Sequence, residues 1–529
     1  MRVCRLAAGI LSIFLALGPV VSVHAQGPTQ VWVDDDYCPS CANDGHAWGK
    51  TSFASISAAL EAVAAGGTVH VLPGHYEEDL RIQKPCALLG EGTSPPVLAP
   101  RLADVTLTIA ANDVTVQGLE VWGGQQAAIL ILGPDFQREP ARRVAVRQNV
   151  VRGGRFGVAA NIDPLWSYGQ VPATDLVISD NTVSGCTRAI YVYNAQAEIS
   201  HNTVSELAPE GIGIYSSEGS QANIRDNRVD VQAPDGRAIY ILDNQGTFVD
   251  GNMLVGATDI LTPTTAFALY GYTDLVLSNN TVQGFYWGTS AYTGGTARIV
   301  GNTFRDTVAW ALSLGTAVTT TQVLIADNLI RGSYWGLKLD DDGGYGLQAI
   351  VEGNTFTDNV VGILLASSVQ DGQVQVHGNS ICGNLAAGLR NESQAPVDAT
   401  DNWWGANDGP KPEGLGDRVE GIGGALTNPW VRLETWTRLL ADGRVAIVAD
   451  LKSVRYRLRN QHLTFSTDRG AFEVPASIGK ASASLQSQPK VTLSPLDNQA
   501  EATLLPLHGN TAHVTVSSDC GQGVTISVR

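Results

Sequence analysis

The chain has 529 residues, of which 57 are glycine, 44% are hydrophobic and 16% are charged, and its formal net charge is −17. Glycine is enriched over the usual ~7% and charged residues are depleted from the usual ~25%, so we expect a packed, turn-rich protein and exclude a disordered one. The negative charge would repel a phosphate backbone or an anionic membrane surface, so we expect no nucleic-acid partner.

Residues 1–25 have the pattern of a secretory signal peptide. Arg2 and Arg5 form a basic start, residues 6–23 are mostly apolar, and Ala25 ends a small-residue cleavage site. A retained membrane anchor is the alternative, but a Gly-Pro pair interrupts this run and no other segment has the ~18 apolar residues that span a bilayer. We therefore expect a secreted, periplasmic or cell-surface protein with no membrane span after cleavage.

Six cysteines remain after removal of the signal peptide. In an oxidising compartment we expect Cys38 and Cys41 to form a small disulfide loop, since a metal site would need two further ligands nearby. The sequence leaves the pairing of the other four open. They are Cys86, Cys186, Cys382 and Cys520.

An asparagine recurs about every 25 residues through the middle of the chain. In every case the residues three positions before it and two positions after it are apolar. This alternation predicts short strands with one buried face, and the change of phase at the asparagine predicts a corner. Since asparagine tolerates left-handed backbone angles and stacks on identical side chains, we expect an asparagine ladder. Its members are Asn149, Asn181, Asn202, Asn227, Asn252, Asn280, Asn302, Asn328, Asn354, Asn379 and Asn402.

A third short strand follows later in each period, for example at residues 189–192 and 362–365. Three strands and three turns in about 25 residues predict one coil of a parallel β-helix, with neighbouring coils about 4.8 Å apart. Leucine-rich horseshoes need a fixed leucine framework, which is absent, and propeller blades need about 40 residues or more. The sequence therefore predicts an all-β parallel β-helix over residues 26–430.

Two segments at the ends of this region carry a family resemblance. The opening residues 31–78, with a Gly-Thr-Val-His-Val-Leu-Pro-Gly run from Gly67, and the Asp-Asn-Trp-Trp-Gly segment 401–405 resemble right-handed parallel β-helix repeat proteins of the pectin-lyase-like superfamily. The resemblance implies a polysaccharide as ligand or substrate, although the hallmark motifs of its characterised lyases, hydrolases and epimerases are absent. Helical spacing over residues 55–65 predicts an N-terminal capping helix over the first coil.

The pattern changes after Trp430. Residues 435–529 lack the asparagine period and contain alternating segments typical of strands in a small β-sandwich. Residues 463–470 resemble a strand and turn of bacterial immunoglobulin-like modules on surface proteins. The predicted strands are 445–448, 463–466, 502–505, 513–516 and 524–528.

Tyrosines recur at outward positions of the predicted third strands, where one position per coil forms a column. Aromatic rings spaced one coil apart can stack on successive sugar rings, so we predict that these tyrosines bind a polysaccharide or cell-surface glycan. Structural stacking without a ligand is the alternative, and we favour it for a second possible stack of Trp287, Trp310 and Trp335. One predicted column holds Tyr193, Tyr215, Tyr270 and Tyr292, and its neighbour holds Tyr191 and Tyr240.

A charged patch follows the tyrosines, and its candidate catalytic residues are Lys338, Asp340, Asp341, Arg390 and Glu392. Asp340 and Glu392 lie two coils apart, about 9.6 Å, near the upper carboxylate separation of an inverting glycosidase. A lyase would instead use Lys338 or Arg390 as base. Its Ca²⁺ would bind the hard oxygen ligands of Asp340, Asp341 and Asp342. A solvated acidic turn is the simpler alternative.

Copper binding is disfavoured, because soft copper sites need clustered Met, His and Cys ligands. Met253 is the single methionine after the signal peptide, and His201 and His377 stand alone before turn asparagines. Our hypothesis is an exported, monomeric β-helix protein that binds polysaccharide along its coil face, with cleavage by a lyase or glycosidase mechanism as its catalytic form. The alternative is a noncatalytic surface or adhesion protein whose helix is a rigid scaffold and whose sandwich makes contact.

Overall fold

The structure is a computed structural model. It describes residues 27–135, 137–162, 169–258, 261, 263–271, 274–370, 372–453, 455–456, 458, 461–469, 471–473, 487–493, 499–505 and 511–528. The predicted signal peptide lies outside these residues. The chain winds into a stack of parallel coils followed by two antiparallel sheets, which confirms the all-β parallel solenoid. Within the described ranges, no helix combines the length and apolar character needed to cross a bilayer.

Each coil contributes strands to three parallel sheets, called here the first, second and third sheets in chain order. Strands Trp287–Val300 and Trp310–Ala326 each run from the third sheet into the first sheet of the next coil. The first sheet also contains Gln30–Val33, Ser52–Phe53, Gly67–Val71, Cys86–Gly90, Val114–Gln117, Arg142–Arg147, Ala173–Ser179, Ala195–Ser200, Gln221–Arg225, Phe248–Asp250, Leu275–Ser278, Leu347–Glu352, Val374–His377, Val397–Asp398 and Ala425–Leu426.

The second sheet has 13 strands, each two or three residues long. They are His75–Glu77, Val97–Ala99, Glu120–Trp122, Val150–Arg152, Thr182–Ser184, Thr203–Ser205, Arg228–Asp230, Met253–Val255, Thr281–Gln283, Thr303–Arg305, Leu329–Arg331, Thr355–Thr357 and Ser380–Ile381. The third sheet also contains Leu80–Ile82, Val105–Ile109, Ala127–Ile131, Phe156–Ala160, Arg188–Tyr193, Ile212–Ser217, Arg237–Leu242, Thr265–Tyr270, Trp335–Leu339, Val361–Leu365, Ala387–Asn391, Pro410–Lys411 and Gly416–Glu420.

The interior is one continuous hydrophobic core that extends from Val31 to Trp404. Val146 and Val151, on either side of the first repeat asparagine, are both 0% exposed, as the predicted change of phase requires. Burial of these apolar side chains is the main force that holds the coils in register, because a shift by one residue would turn each strand's apolar face to water.

The repeat asparagines form the predicted ladder inside the corner between the first and second sheets. In Asn280, the backbone N–H and the side-chain Nδ2 both donate to Oδ1 of Asn302, each at 2.9 Å. The same Nδ2 donates to the carbonyl of Val249 at 3.0 Å. The left-handed residue is the one before the asparagine, such as Asp180 with φ 57°, and not the asparagine itself. The turn therefore places the asparagine side chain inward, where it satisfies buried backbone groups.

The N-terminal segment covers the first coil. The α-helix Ile56–Ala62 buries Ile56, Ala59 and Leu60, and Ser55 caps its N-terminus by accepting from the backbone N–H of Ala58 at 3.4 Å. Ahead of it lie the 3₁₀ turn Asn43–Gly45 and the predicted Cys38–Cys41 disulfide, whose Cα atoms are 5.1 Å apart. Because a solenoid end would expose unpaired strand edges, this cover stabilises the first coil.

The C-terminal antiparallel strands form a five-stranded and a four-stranded sheet. All five predicted strand segments overlap observed strands. The larger sheet contains Arg432–Leu439, Val445–Lys452, Phe472–Glu473, Ser487–Gln488 and Gln499–Leu504. The smaller sheet contains Leu463–Thr467, Lys490–Leu493, Ala512–Ser518 and Val524–Val528.

A disulfide, a hydrogen bond and apolar packing connect these two sheets to the last coils. The disulfide joins Cys382 to Cys520, whose Cα atoms are 5.6 Å apart. The sequence alone did not determine this pairing. Beside the disulfide, the buried indole of Trp403 donates to the hydroxyl of Ser518 at 3.2 Å. Trp403 also belongs to the hydrophobic core of the antiparallel sheets, whereas the next residue, Trp404, belongs to the solenoid core. The paired tryptophans therefore join the two cores.

Candidate functional site

The outward tyrosines of the third sheet lie in two columns, with one correction to the predicted register. Tyr215 pairs with Tyr191 and then with Tyr240, so these three share one column. We predicted Tyr215 beside Tyr193 because Ile212 fits the apolar alternation as well as Ile214 does. In the structure Ile214 is the residue that pairs with the inward Ile190, which moves Tyr215 by two positions.

Five tyrosine rings form a nearly continuous stack across five coils. The centroids of Tyr191 and Tyr215 are 4.5 Å apart, and those of Tyr215 and Tyr240 are 4.7 Å apart with an interplanar angle of 8°. The stack then crosses to the second column, where Tyr240 meets Tyr270 edge to face at 5.9 Å. Tyr270 and Tyr292 follow at 6.1 Å with rings that are parallel within 2°.

The predicted tyrosines differ in their accessibility. Tyr191 is only 4% exposed and packs with Phe156 and Ile162 in a hydrophobic cluster separate from the solenoid core. Its hydroxyl also lies 3.2 Å from that of Ser217. Tyr191 is therefore a packing residue in this conformation, and its ring offers no face to a ligand. The other five tyrosines are partly exposed, and they are Tyr193, Tyr215, Tyr240, Tyr270 and Tyr292.

A second aromatic row runs beside the tyrosines on the same sheet. The stacked indoles of Trp287 and Trp310 are 5.8 Å apart, those of Trp310 and Trp335 are 6.4 Å apart, and all three side chains are partly exposed. Between this row and Tyr270 and Tyr292, the outward column contains only small side chains. These are Ala268, Ser290 and Ser313.

We call this arrangement the aromatic trough. Its floor is the column Ala268, Ser290 and Ser313, and its walls are the tryptophan row and the two tyrosines. The hydroxyl of Tyr270 lies 3.4 Å from the hydroxyl of Ser290, so polar groups are present at floor level. Ala268 and Ser313 are only 1% and 5% exposed, so a ligand on this surface would contact the partly exposed aromatic rings and Ser290.

Gly315 leaves room for the ring of Tyr292, which is part of one wall of the trough. A Cβ atom at Gly315 would lie 2.8 Å from Cε1 of Tyr292, which is closer than carbon atoms approach without displacement. The ring of Tyr292 therefore lies over the backbone of the next coil. At the opposite end, the guanidinium of Arg237 lies 5.8 Å from the ring centre of Tyr240. This contact adds a favourable cation–π interaction to the tyrosine stack.

The charged patch begins at Lys338, one coil beyond the trough floor. Lys338 Nζ contacts Asp340 Oδ2 at 2.8 Å. Burial opposes charge on both groups, but their mutual hydrogen bond and attraction outweigh it, so the pKa of Lys338 is raised and that of Asp340 is lowered. Both groups are thus ionised at neutral pH, whereas a lysine base needs a lowered pKa and a carboxylic acid donor a raised one.

The three consecutive aspartates do not converge on a metal position. Asp341 is 1% exposed, and its Oδ1 accepts from the hydroxyl of Thr316 at 2.5 Å and from the N–H of Gly346 at 3.2 Å. Asp340 faces Lys338, and Asp342 is exposed, with its pKa raised by the hydrogen bond and charge of Asp340. Asp340 and Asp341 therefore have separate partners, and the Ca²⁺ site at Asp340, Asp341 and Asp342 stays a prediction.

A cluster of acidic side chains does occur at another place in the structure. Among the described residues, three carboxylate, imidazole or thiolate ligand atoms come within 4.8 Å of one another only at Asp34, Asp35 and Asp36. This group lies on the N-terminal segment, far along the chain from the predicted patch. The backbone N–H of His75 already donates to Asp35 at 3.1 Å, so part of this group organises the adjacent turn.

Arg390 and Glu392 occupy the predicted columns two coils beyond Lys338. Lys338 pairs in register with Leu364, and Leu364 pairs with Arg390. Arg390 Nε donates to Glu420 Oε1 at 2.8 Å, and it lies 4.0 Å from Glu392. Asp340 is therefore paired with Lys338, whereas Glu392 and Glu420 share Arg390. The sequence did not reveal Glu420, because it follows an irregular loop that hides its place in the column.

Two family descriptions match parts of the chain. Residues 169–254 match "Right handed beta helix region", and residues 250–410 match "Periplasmic copper-binding protein (NosD)". No curated protein is significantly similar to the chain in sequence. The two matches overlap at residues 250–254 and together cover residues 169–410, which lie within the observed coils.

Solved structures with weak similarity include a glucanase and two tailspike proteins. The catalytic unit of a GH87 α-1,3-glucanase from Streptomyces thermodiastaticus is 17% identical, with a TM-score of 0.41; the match covers 70% of this chain and 65% of the glucanase unit. The Dettilon tailspike protein is 12% identical with a TM-score of 0.37, covering 93% and 95% of the two chains. The tailspike of E. coli bacteriophage HK620 in complex with a hexasaccharide is 10% identical, with a TM-score of 0.37 and coverage of 94% and 92%.

Among the described residues that match the copper-binding description, the methionine and the histidine have separate partners. Met253 Sδ lies 3.1 Å from a guanidinium nitrogen of Arg228. His377 Nδ1 lies 3.0 Å from the carbonyl of Thr400, and its other nitrogen lies 3.6 Å from Asp398. Copper sites need several sulfur or imidazole ligands at one point, and these side chains are engaged separately.

Proposed function

We propose that this chain is an exported protein that binds a polysaccharide along the third sheet, in the aromatic trough and on the tyrosines next to it. The observation that supports this most strongly is the run of partly exposed rings from Tyr215 to Tyr292, beside a column of small residues. Coils repeat about every 4.8 Å, so an extended glycan would meet a new ring or hydroxyl at each coil. Aromatic faces contact the apolar faces of sugar rings, and tyrosine hydroxyls reach sugar hydroxyls.

Export is supported by the two disulfides, Cys38–Cys41 and Cys382–Cys520. Such bonds form and persist in oxidising compartments outside the cytoplasm. The polysaccharide would accordingly be a glycan of the periplasm, the cell surface or the surroundings. This agrees with the signal sequence predicted at residues 1–25.

The charged patch favours binding over bond cleavage. Lys338 is held as a cation and Asp340 as an anion, so neither group is poised to exchange a proton near neutral pH. Arg390 is similarly occupied by Glu420. In our proposal these ion pairs define the end of the glycan track and offer charged hydrogen-bond partners to sugar hydroxyls.

A glycan array followed by titration calorimetry tests the proposal. We expect binding to at least one polysaccharide fragment, and Tyr215→Ala combined with Tyr270→Ala should weaken it about tenfold or more, since each stacked ring contributes roughly 0.5–1.5 kcal/mol. Trp436→Ala is the control, because Trp436 is an exposed aromatic residue on the antiparallel sheets. Unchanged affinity in the tyrosine double variant would refute the proposed surface.

The same samples address catalysis and the adhesion alternative. We expect no new reducing ends and no unsaturated uronates after prolonged incubation with the bound glycan. Glycan release that disappears in Lys338→Met would instead assign catalysis to the charged patch. If Trp436→Ala abolishes binding while the tyrosine variant keeps it, the antiparallel sheets would be the contact module. This is the expectation for an immunoglobulin-like adhesion domain on a rigid solenoid.

A further inference from the structure

A second concave surface lies on the first sheet, which the aromatic trough does not include. Its volume is about 690 Å³, within the range of small-molecule and oligosaccharide pockets. Outward side chains from four successive coils form it, in two columns whose members pair in register. The lining includes Thr296, Gln322, Leu324, Gln348, Ile350 and Gln375.

The cavity combines an apolar strip with a row of amides. Leu324 and Ile350 are neighbours in one outward column, and Ile350 is 46% exposed. Two residues earlier on the same strands, Gln322 Nε2 donates to Gln348 Oε1 at 3.3 Å. This bond leaves the carbonyl of Gln322 and the NH₂ group of Gln348 with hydrogen-bonding capacity for a ligand.

Charge is nearly absent from this cavity. Arg298 is the one charged side chain among its described lining residues, in a protein whose net charge is −17. A cavity of about 480 Å³ farther up the same sheet has an equivalent amide pair, Gln196 and Gln221 at 3.4 Å. That cavity differs because Asp175 and Glu198 also line it. The low number of charged side chains is therefore a property of the larger cavity, and it is not shared by the whole first sheet.

We propose that the larger cavity is a second carbohydrate site, which binds a neutral oligosaccharide independently of the aromatic trough. Amide groups both donate and accept, so they match sugar hydroxyls, while Leu324 and Ile350 match the apolar face of a sugar ring. The amides repeat once per coil, about every 4.8 Å, so an extended oligosaccharide placed along the solenoid would meet Gln322 and Gln348 in succession. An anionic glycan would gain only one cation, Arg298, and a cationic ligand would gain no counter-ion among the described lining residues.

Titration calorimetry with neutral hexasaccharides tests this site. The probes are cellohexaose, laminarihexaose and maltohexaose, with a galacturonic acid hexamer as the charged comparison. We expect at least one neutral hexasaccharide to bind, and Gln322→Ala combined with Gln348→Ala to weaken it about fivefold or more through lost hydrogen bonds. Ile350→Asp should abolish binding by placing a charge against the apolar ring face. The side chains of Gln322, Gln348 and Ile350 are exposed, so the fold should tolerate these changes.

Gln196→Ala combined with Gln221→Ala is the matched control, since it removes the equivalent amide pair beside the acidic side chains. We expect this control and the Tyr215→Ala, Tyr270→Ala double variant to bind the neutral probe normally. If the tyrosine double variant binds its glycan unchanged, the proposed function fails but this inference stands. If the Gln322, Gln348 double variant binds unchanged, this inference fails but the proposed function stands. The inference is overturned if no neutral probe binds at millimolar concentration or if the Gln322, Gln348 double variant binds unchanged. It is equally overturned if that variant instead abolishes a concentration-dependent dimer, which would assign the face to a second copy.

Discussion

The asparagine ladder and the aromatic trough are built on the same coils but follow opposite rules. In the ladder every coil presents the same buried side chain with the same hydrogen bonds, as between Asn280 and Asn302. In the trough, successive coils present Ala268, Ser290 and Ser313 on the floor and different aromatic residues on the walls. The repeated interior holds the spacing constant, and the varied exterior uses that spacing to place different side chains on a straight track.

Loss of the Cys382–Cys520 disulfide should produce the largest change in stability. The two cysteines are separated by 138 positions, so the bond restricts a long loop of the unfolded chain, and Cys520→Ser should cost about 4 kcal/mol. Chemical denaturation followed by tryptophan fluorescence would report it. Cys41→Ser, which opens a loop with a separation of only 3, is the control and should cost clearly less. Equal effects would show that the antiparallel sheets do not depend on this covalent link.

Removal of one asparagine side chain from the ladder should cause the second-largest loss of stability. Asn280→Ala removes the side chain that bonds to Asn252, Asn302 and Val249, which leaves buried donors and acceptors unpaired. We expect a loss of about 3 kcal/mol in the free energy of unfolding of the surrounding coils. Hydrogen exchange of the neighbouring strands would localise the effect. Asn223→Ala, at an exposed position of the first sheet, should change it little.

The buried Tyr191 and the partly exposed Tyr240 should differ in their effects on stability and on glycan binding. Tyr191→Ala removes a ring that is 4% exposed and packed on Phe156, so we expect a stability loss of about 2 kcal/mol. Tyr240→Ala removes a partly exposed ring and should instead weaken glycan binding with a smaller stability loss. Thermal unfolding and titration calorimetry on both variants give the comparison. A Tyr191→Ala protein of normal stability and lost affinity would reverse our assignment of packing and binding roles.

The smallest effect concerns the ion pair at the end of the track. The pKa of Asp340 in the folded protein is lowered despite its burial, because Lys338 and Ser368 bond to the carboxylate. Its contribution to stability is present above the pKa of an aspartate in the unfolded chain and is lost as the pH falls through the folded value. Asp340→Asn should therefore reduce the part of the stability that is lost between neutral and acidic pH. An unchanged pH dependence of unfolding would show that the pair contributes no net stabilisation.

The interior could be predicted from the sequence because burial imposes a strict pattern there. Val146 and Val151 indicate which side of each strand faces inward, and the asparagines mark the corner in every coil. The outer columns have no such constraint. Both Ile212 and Ile214 satisfy the alternation, so the sequence could not decide whether Tyr215 follows Tyr191 or Tyr193.

The charged patch shows a second limit. Its columns were predicted correctly from Lys338 to Arg390, but the partners of each charge depend on turns whose course the repeat does not determine. The buried position of Asp341 against Thr316 and the pairing of Arg390 with Glu420 arise from such turns. The Cys382–Cys520 bond was likewise hidden, since it joins two regions that follow unrelated patterns.

Hydrogen exchange in the presence of the glycan that binds best on the array tests the central claim most directly. The account predicts slower exchange in third-sheet strands Arg237–Leu242 and Thr265–Tyr270, with little change in the second sheet or in the antiparallel strands. Protection confined to residues 432–528, with none in these two strands, would contradict it.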